Sequence, residues 1–275
     1  MTSPDAVPPP ETVDVRTPNV ARMYDYYLGG SHNLAVDRAA ADQVIAANPN
    51  TVVAARENRA FLGRVVRYCL DQGIRQFLDL GSGIPTVGNV HEIAHHHVGP
   101  DVRVAYVDSE PVAAAHAARL LADLETATIT RADLRDVDTV LTAPGVTGLL
   151  DFDQPIALLA MAVLHCVSDA DDPPGLLNRY RAVLAPGSYL ALSHVTLDHL
   201  AAAGLGGGPE MAEVYRNANP PSWSRTRAEI SSWLDGLELV EPGVVVPREW
   251  QPDFDLPASA MDTPSMWWAA VAHLR

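Results

Sequence analysis

Cysteine, aromatic side chains, positive charge and long apolar runs are all scarce in this sequence. Its two cysteines, Cys69 and Cys166, cannot build a disulfide framework. Each lies in an apolar run, where a buried free thiol is the expectation and a reducing compartment the implication. No uninterrupted apolar stretch approaches the ~18 residues that would suggest a membrane span. The opening MTSPDAVPPPETVDV lacks a basic segment followed by an apolar one, so neither secretion nor a membrane is indicated and the cytoplasm is the expected location. Lys and Arg total 19 against 34 Asp and Glu, a net charge of −15, and the basic residues are scattered singly. That field repels a phosphate backbone, which argues against nucleic acid and favours a small neutral or cationic partner.

What is present has a clear order. Residues 1–16, rich in proline and acid, read as a disordered tail. Thr17-Pro18 reads as the start of a helix that places Val20, Met23, Tyr24 and Tyr27 on one face and stops at Gly29-Gly30. A second helix is expected from about Leu34 to Asn48-Pro49, and a third from about Val52 to Leu70. Residues 17–72 thus form an N-terminal helical unit. From residue 73 onward apolar strands alternate with helices. QFLDL (76–80), RVAYVD (103–108), TATITRAD (126–133), PIALLAMAVL (155–164) and YLALSHV (189–195) read as strands, with helices from about Val87, over Pro111 to Leu124 and over Pro174 to Leu184. This pattern predicts an α/β fold, a parallel sheet with helices on both faces. A mostly helical insertion follows at about 199–236. LELVEPGVVV (237–246) and MWWAAVAHLR (266–275) then read as two last strands, antiparallel neighbours because no long helix joins them.

Ligands of such sheets bind beyond the carboxyl ends of the strands. The first strand ends DLGSGIP, in which Gly81 and Gly83 allow a tight turn with backbone close to a ligand. A dinucleotide pattern would need glycine at Thr86 and fails. Asp79, two residues before the first glycine, would repel a pyrophosphate but give an ammonium group a charge-assisted hydrogen bond of roughly 1.5–3 kcal/mol. The second strand ends at Asp108, where a carboxylate can accept from both hydroxyls of a ribose. The third ends RADL, with Asp133 able to accept from an exocyclic amine. Taken singly, each acid could be a solvated loop carboxylate or a helix cap. Taken together, three strand-end acids fit a ligand with an amino-acid part, a ribose and an adenine.

DLGSG, YVDSEP and RADLRD resemble the first three motifs of the class I S-adenosylmethionine-dependent methyltransferases, and the two final strands match the antiparallel seventh strand of that fold. More narrowly, RMYDYYLGGSHNLAVDR, ENRAFLGRVVRYCLDQGIRQFLDLGSGIPTVGNVHEIA and VAYVDSEPV resemble an actinobacterial-type family described as S-adenosyl methyltransferases, once a domain of unknown function. The likeness covers most of the chain from Thr17, with Pro85 standing where the general pattern often has a third glycine. It implies a Rossmann-like methyltransferase fold, a seven-stranded and mostly parallel sheet with an antiparallel last strand and an N-terminal helical lid. It further implies S-adenosylmethionine as cofactor and a small-molecule acceptor, methylated on oxygen or nitrogen. Asp79 would then lie near the methionine ammonium, with Gly81, Ser82 and Gly83 as the backbone platform. Asp108 with Ser109 would meet the ribose, and Asp133 with Leu134 the adenine. Met161, Ala162 and Val163 would border the methyl group. LHCVSDADD is similar to the LHxWSDE stretch of plant-type small-molecule O-methyltransferases, with Val167 in place of the tryptophan, and makes His165 the candidate base.

Rival signals are weaker. HEIAH, His91 to His95, matches the H-E-x-x-H of zinc peptidases, but its extended form requires histidine at Asp101. No metal site is therefore expected, and His95-His96-His97 reads as a solvated helix end. Cys166 beside His165 reads as a core thiol, since neighbours on one segment point apart. Of Trp267-Trp268, one ring should enter the core and the other meet a helix or an interface. A protein that binds S-adenosylmethionine or its demethylated product without turnover, and a nicotinamide-dependent oxidoreductase, stand as alternatives. Acceptor specificity is expected from the N-terminal helices and the 199–236 insertion, including Met211, Tyr215, Arg216 and Trp223. The aromatic stretch MYDYYLGGSHN reads as a lid over the sulfonium, with Tyr24, Tyr27 and Gly30 nearest the ligand.

Overall fold

The computed structural model describes residues 13–86, 88–253 and 264–275. Three helices precede the sheet: α1 (Val20–Tyr27), α2 (Ala35–Ala47) and α3 (Thr51–Asp71). Then β1 (Gln76–Leu80), α4 (Val90–Val98), β2 (Arg103–Asp108), α5 (Pro111–Leu120) and β3 (Ala127–Arg131) alternate. Two short helices, α6 (Val137–Thr142) and α7 (Pro144–Thr147), lead to β4 (Ala157–Met161), α8 (Pro173–Arg181) and β5 (Tyr189–Val195). The insertion holds α9 (Asp198–Ala202), α10 (Gly208–Arg216) and α11 (Arg227–Ser232), and β6 (Glu238–Leu239) and β7 (Trp267–His273) close the chain.

The seven strands lie in the order β3-β2-β1-β4-β5-β7-β6. Those from β1 to β5 run parallel, and β7 is antiparallel to both β5 and β6. Every residue of β1 and β4 is buried, as continuous apolar runs require when helices cover both faces. Alternation sends Leu78, Leu80 and Leu158 to one layer, with Leu176, Tyr180 and Ile230. Phe77, Val104 and Leu159 go to the other, against Phe61, Val65 and Val66 of α3. Truncating one such leucine to alanine costs about 2–5 kcal/mol. The same alternation puts Asp79 on the Phe77 side, facing α3.

Several boundaries differ from those read in the sequence, each for a local reason. Helix α1 starts at Val20 because Asn19, not Thr17, is its cap: the Asn19 side chain accepts from the amides of Ala21 and Arg22. Helix α4 starts at Val90 behind Asn89, and Val87 lies outside the described residues. Strand β4 ends at Met161 because Ala162 takes a left-handed conformation, φ 52°. The expected strand over 237–246 shrinks to Glu238–Leu239, since Pro242 has no amide to offer, and pairing resumes only at a bridge from Val245 to Ala269. No helix among the described residues is long and apolar enough to cross a membrane.

Candidate active site

The strand order reverses between β1 and β4, and parallel strands deliver their last residues to one edge there. A cleft of about 500 Å³ opens at that point, within the ~300–1,000 Å³ of small-molecule sites. Beyond Leu80 the chain turns through Gly81, at φ +66°, and a side chain there would meet Val163 Cγ2 at 2.1 Å. The amides of Gly81 and Ser82 both donate to the Val107 carbonyl, at 2.8 and 3.1 Å. Asp108 fastens the turn from the neighbouring strand: its carboxylate accepts from Gly83 N at 2.7 Å and from Glu110 N at 2.8 Å. Burial pushes Asp108 up to about 6 against the pull of those amides.

Asp79 is different. It is 5% exposed, and among the described residues no protein group donates a hydrogen bond to it. Burial pushes its carboxyl up to about 7, opposed by Arg59 and reinforced by Asp108. Arg59 reaches the same wall from α3, and its buried Nε has no partner either. An acid and a base, both lining one cleft and both short of hydrogen bonds, are chemically able to meet a zwitterion, the carboxylate accepting from an ammonium and the guanidinium donating to a carboxylate. Across the cleft, Ser109, Leu134 and the half-buried Asp133 line the β2–β3 side. Arg135 occupies part of the Asp133 carboxylate at 2.6 to 3.0 Å and holds it below the usual carboxylate range.

The β4 end supplies Met161, Ala162 and Val163, then a turn that brings His165 and Cys166 to the wall. His165 is buried, and its Nδ1 has no partner among the described residues. Its own burial, then His194 and Arg225, hold its pKa well below 6.5, so the ring is neutral at pH 7. The Cys166 thiol is pushed up to about 12 by burial, which removes it as a nucleophile.

Helix α1 closes the cleft through ties on three sides. Buried Arg22 bonds Asp37 of α2 at 2.7 Å and Glu110, which also caps α5, at 2.8 Å. Buried Asp25 accepts from Thr86 of the glycine turn and from His32 N and Asn33 Nδ2 of the loop that follows α1. The Tyr27 hydroxyl lies 3.1 Å from that of Tyr215 in α10. Tyr24 donates to the Ala55 carbonyl, and both tyrosines line the cleft. Gly30 does not: it packs under Asp25, whose Oδ1 would lie 1.9 Å from an added Cβ. Its role is to let the loop wrap that carboxylate.

A profile of proteins described as S-adenosyl methyltransferases matches residues 7–275. The chain belongs to that family. A DUF574 family protein from Streptomyces avermitilis MA-4680 is 36% identical at a TM-score of 0.88, over 96% of this chain and 100% of its own. A candidate methyltransferase from Thermobifida fusca YX is 37% identical at 0.88, over 98% and 100%. At 14% identity the plantazolicin methyltransferase BpumL, solved with S-adenosylhomocysteine, shares the fold alone, with a TM-score of 0.52 over 93% of this chain and 96% of its own. No protein with a curated description matches. This S-adenosyl methyltransferase therefore uses S-adenosylmethionine as its cofactor, on the seven-stranded sheet of the class I enzymes.

Of the residues expected in the sequence to meet the cofactor, and His165 with them, all but Gly30 line the cleft. Reading the sequence missed Arg22, Asp25, Asn58, Arg59 and Glu110, because a polar residue on an amphipathic helix or at its cap looks solvated until its tertiary partner is known. Of the four positions named in the insertion only Tyr215 reaches the cleft, and Met211 is core. Trp267 lines the wall and donates to the Ala54 carbonyl at 2.9 Å, whereas Trp268 bonds Asp198. In HEIAH, His91 Nδ1 is committed to the Tyr106 hydroxyl at 2.7 Å. Among the described residues no group of three or more His, Cys, Asp or Glu could hold a metal.

Proposed function

We propose that this enzyme methylates a small molecule at an oxygen or nitrogen atom. The observation that carries this reading is the shape of the cleft: beyond the glycine turn it continues into a chamber roofed by α1 and walled by Tyr24, Tyr27, Tyr215 and Trp267. Such a lining, in a cleft of about 500 Å³, suits a compact acceptor.

In this reading Asp79 binds the methionine ammonium and Arg59 its carboxylate. Asp108 accepts from the ribose hydroxyls with its remaining lone pairs, while Ser109, Asp133 and Leu134 border the adenine. Held there by Asp79, Arg59 and Asp108, the cofactor would supply an electrophilic methyl group to the acceptor's lone pair, leaving S-adenosylhomocysteine and a proton that departs with the products. The protein's work is alignment and the exclusion of water. Gly81 lets Val163 approach the turn, Ala162 brings the backbone beside the methyl position, and α1 shuts the mouth. His165 lines the site as a neutral imidazole, the form a general base requires, and its lowered pKa makes it a weak one.

Calorimetry with S-adenosylhomocysteine, followed by incubation with labelled methyl donor and a metabolite extract, tests the reading. Micromolar binding and transfer of label to a low-molecular-weight product are expected. Binding without transfer would favour the non-catalytic alternative, and absence of binding would remove the reading altogether.

A further inference from the structure

The acceptor half of the cleft differs chemically from the cofactor half. The residues that β5, the 199–236 segment and β7 contribute to its wall include Val195, Tyr215, Ser222, Met266 and Trp267, and none of them is Asp, Glu, Lys or Arg. Of the charges that α1 and α3 bring to the cleft, Arg22 is paired with Asp37 and Glu110, Asp25 accepts from Thr86, His32 and Asn33, and Arg59 is taken by the cofactor's carboxylate in this reading. A charged acceptor would therefore lose its hydration and gain no uncommitted counter-ion. The polar atoms of the wall are mostly committed. Tyr27 and Tyr215 bond each other, Trp267 Nε1 donates to the Ala54 carbonyl, and Tyr24 donates to the Ala55 carbonyl.

Asn58 is the exception that names a chemistry. It is 3% exposed and lines the cleft from α3. The Tyr24 hydroxyl has one hydrogen, spent on Ala55, so it must accept from Asn58, and the Asn58 amide nitrogen lies 3.1 Å away. That fixes the orientation of the amide and leaves Oδ1, buried and without a partner among the described residues, as a free acceptor. A buried acceptor without a donor is expensive to leave so, and a ligand donor would answer it.

Resting on the reading of this cleft as the methyl-transfer site, we infer that the acceptor is an uncharged, planar aromatic or heteroaromatic molecule that donates an O–H or N–H to Asn58 Oδ1. The ring packs among Tyr24, Tyr27, Tyr215 and Trp267, and Asn58 sets which neutral rings are taken. The discrimination follows from the wall: rings lacking the donor leave Oδ1 orphaned, and ionised rings find no partner.

The test uses the full chain loaded with S-adenosylhomocysteine and four naphthalene probes followed by calorimetry: 2-naphthol, 2-methoxynaphthalene, 2-naphthoate and 2-naphthylmethylammonium. The native protein should bind 2-naphthol at least tenfold tighter than each of the other three. Asn58→Leu should bring 2-naphthol down to the level of 2-methoxynaphthalene and leave S-adenosylhomocysteine affinity within twofold. Equal or tighter binding of the naphthoate or the ammonium to native protein would overturn the inference without need of any variant. So would an Asn58→Leu protein that still prefers the naphthol over its methyl ether, or native protein that binds none of the four. Failure of S-adenosylhomocysteine to bind at the loading step would instead overturn the methyltransferase reading of the cleft, and this inference with it.

Discussion

The two halves of the cleft are built on opposite principles. The cofactor half draws Asp79, Asp108 and Asp133 from β1, β2 and the end of β3; backbone amides anchor Asp108 and Arg135 anchors Asp133, while Asp79 has no donor among the described residues. The acceptor half brings together α1, α3, β5, α10 and β7; the side chains that β5, α10 and β7 contribute are uncharged, and the charges of α1, Arg22 and Asp25, are committed to protein partners. A ligand of fixed charge pattern is met by charges set a few residues from a strand end. A ligand whose identity varies among methyltransferases is met by segments far apart in the chain, which can change without disturbing the turn. Helix α1 spans both halves, tied by Arg22 to the ionic side and by Tyr27 to the phenolic side.

Breaking the ionic tie should have the largest effect. Arg22 is 2% exposed and stands between two buried carboxylates, Asp37 and Glu110. Arg22→Met removes their counter-charge and should destabilise the protein by about 3–5 kcal/mol, read as a fall in the urea midpoint. A change below ~1 kcal/mol would show that α1 is not held there.

Asp79→Asn comes next and separates binding from stability. Losing one charge-assisted hydrogen bond, worth roughly 1.5–3 kcal/mol, should weaken S-adenosylhomocysteine about 10- to 100-fold in calorimetry. Stability should move the other way. The folded-state pKa of Asp79, about 7, lies above the ordinary carboxyl value of 3.8, so the folded protein favours the protonated form. The cost of an ionised Asp79 is fully present above about pH 7 and is relieved as the pH falls toward 4. Removing that charge should leave Tm at pH 8 unchanged or higher, and a large fall would assign Asp79 a structural role.

These two residues also mark how far the sequence could be read. Asp79 was legible because β1, its alternation and the glycines place it at a switch point by rules that act over a few residues. Arg22 was not, because its meaning lies in Glu110, far along the chain. Periodicity placed Val20, Met23 and Tyr27 on one helical face, yet the partners of that face come from α2 and α10. The parallel strands and the antiparallel last pair were legible from apolar runs and connection lengths. The shortening of β6 and the capping of α1 by Asn19 turn on single backbone groups. The acceptor chamber was least legible of all: Asn58 is one polar residue in a long helix until Tyr24 fixes its amide.

The pH dependence of binding should split the two halves more finely. Asp79 must be ionised to hold an ammonium, so affinity for S-adenosylhomocysteine should fall by up to about tenfold per pH unit below about 7, and more steeply below about 6 as Asp108 also protonates. Asp79→Asn should flatten the first part of that profile. Binding of 2-naphthol to the loaded protein should stay level from pH 6 to 8, because His165 is already neutral there and no acid or base of β5, the insertion or β7 lines the chamber. A slope shared by both ligands would mean that the halves are electrostatically one site.

The smallest effect belongs to the phenolic tie. Tyr27→Phe keeps the ring, 4% exposed in the packed face of α1, and deletes only the hydroxyl that meets Tyr215. The cost should be about 0.5–1.5 kcal/mol in urea unfolding, with S-adenosylhomocysteine affinity unchanged within twofold. Tyr27→Ala removes the ring from the roof of the cleft and should weaken S-adenosylhomocysteine while the sheet stays folded by circular dichroism. If the phenylalanine variant weakens the cofactor as much as the alanine variant does, the hydroxyl pair rather than the aromatic face is what holds α1 closed. The two halves would then be coupled through α10, and the acceptor would sense the cofactor through Tyr215.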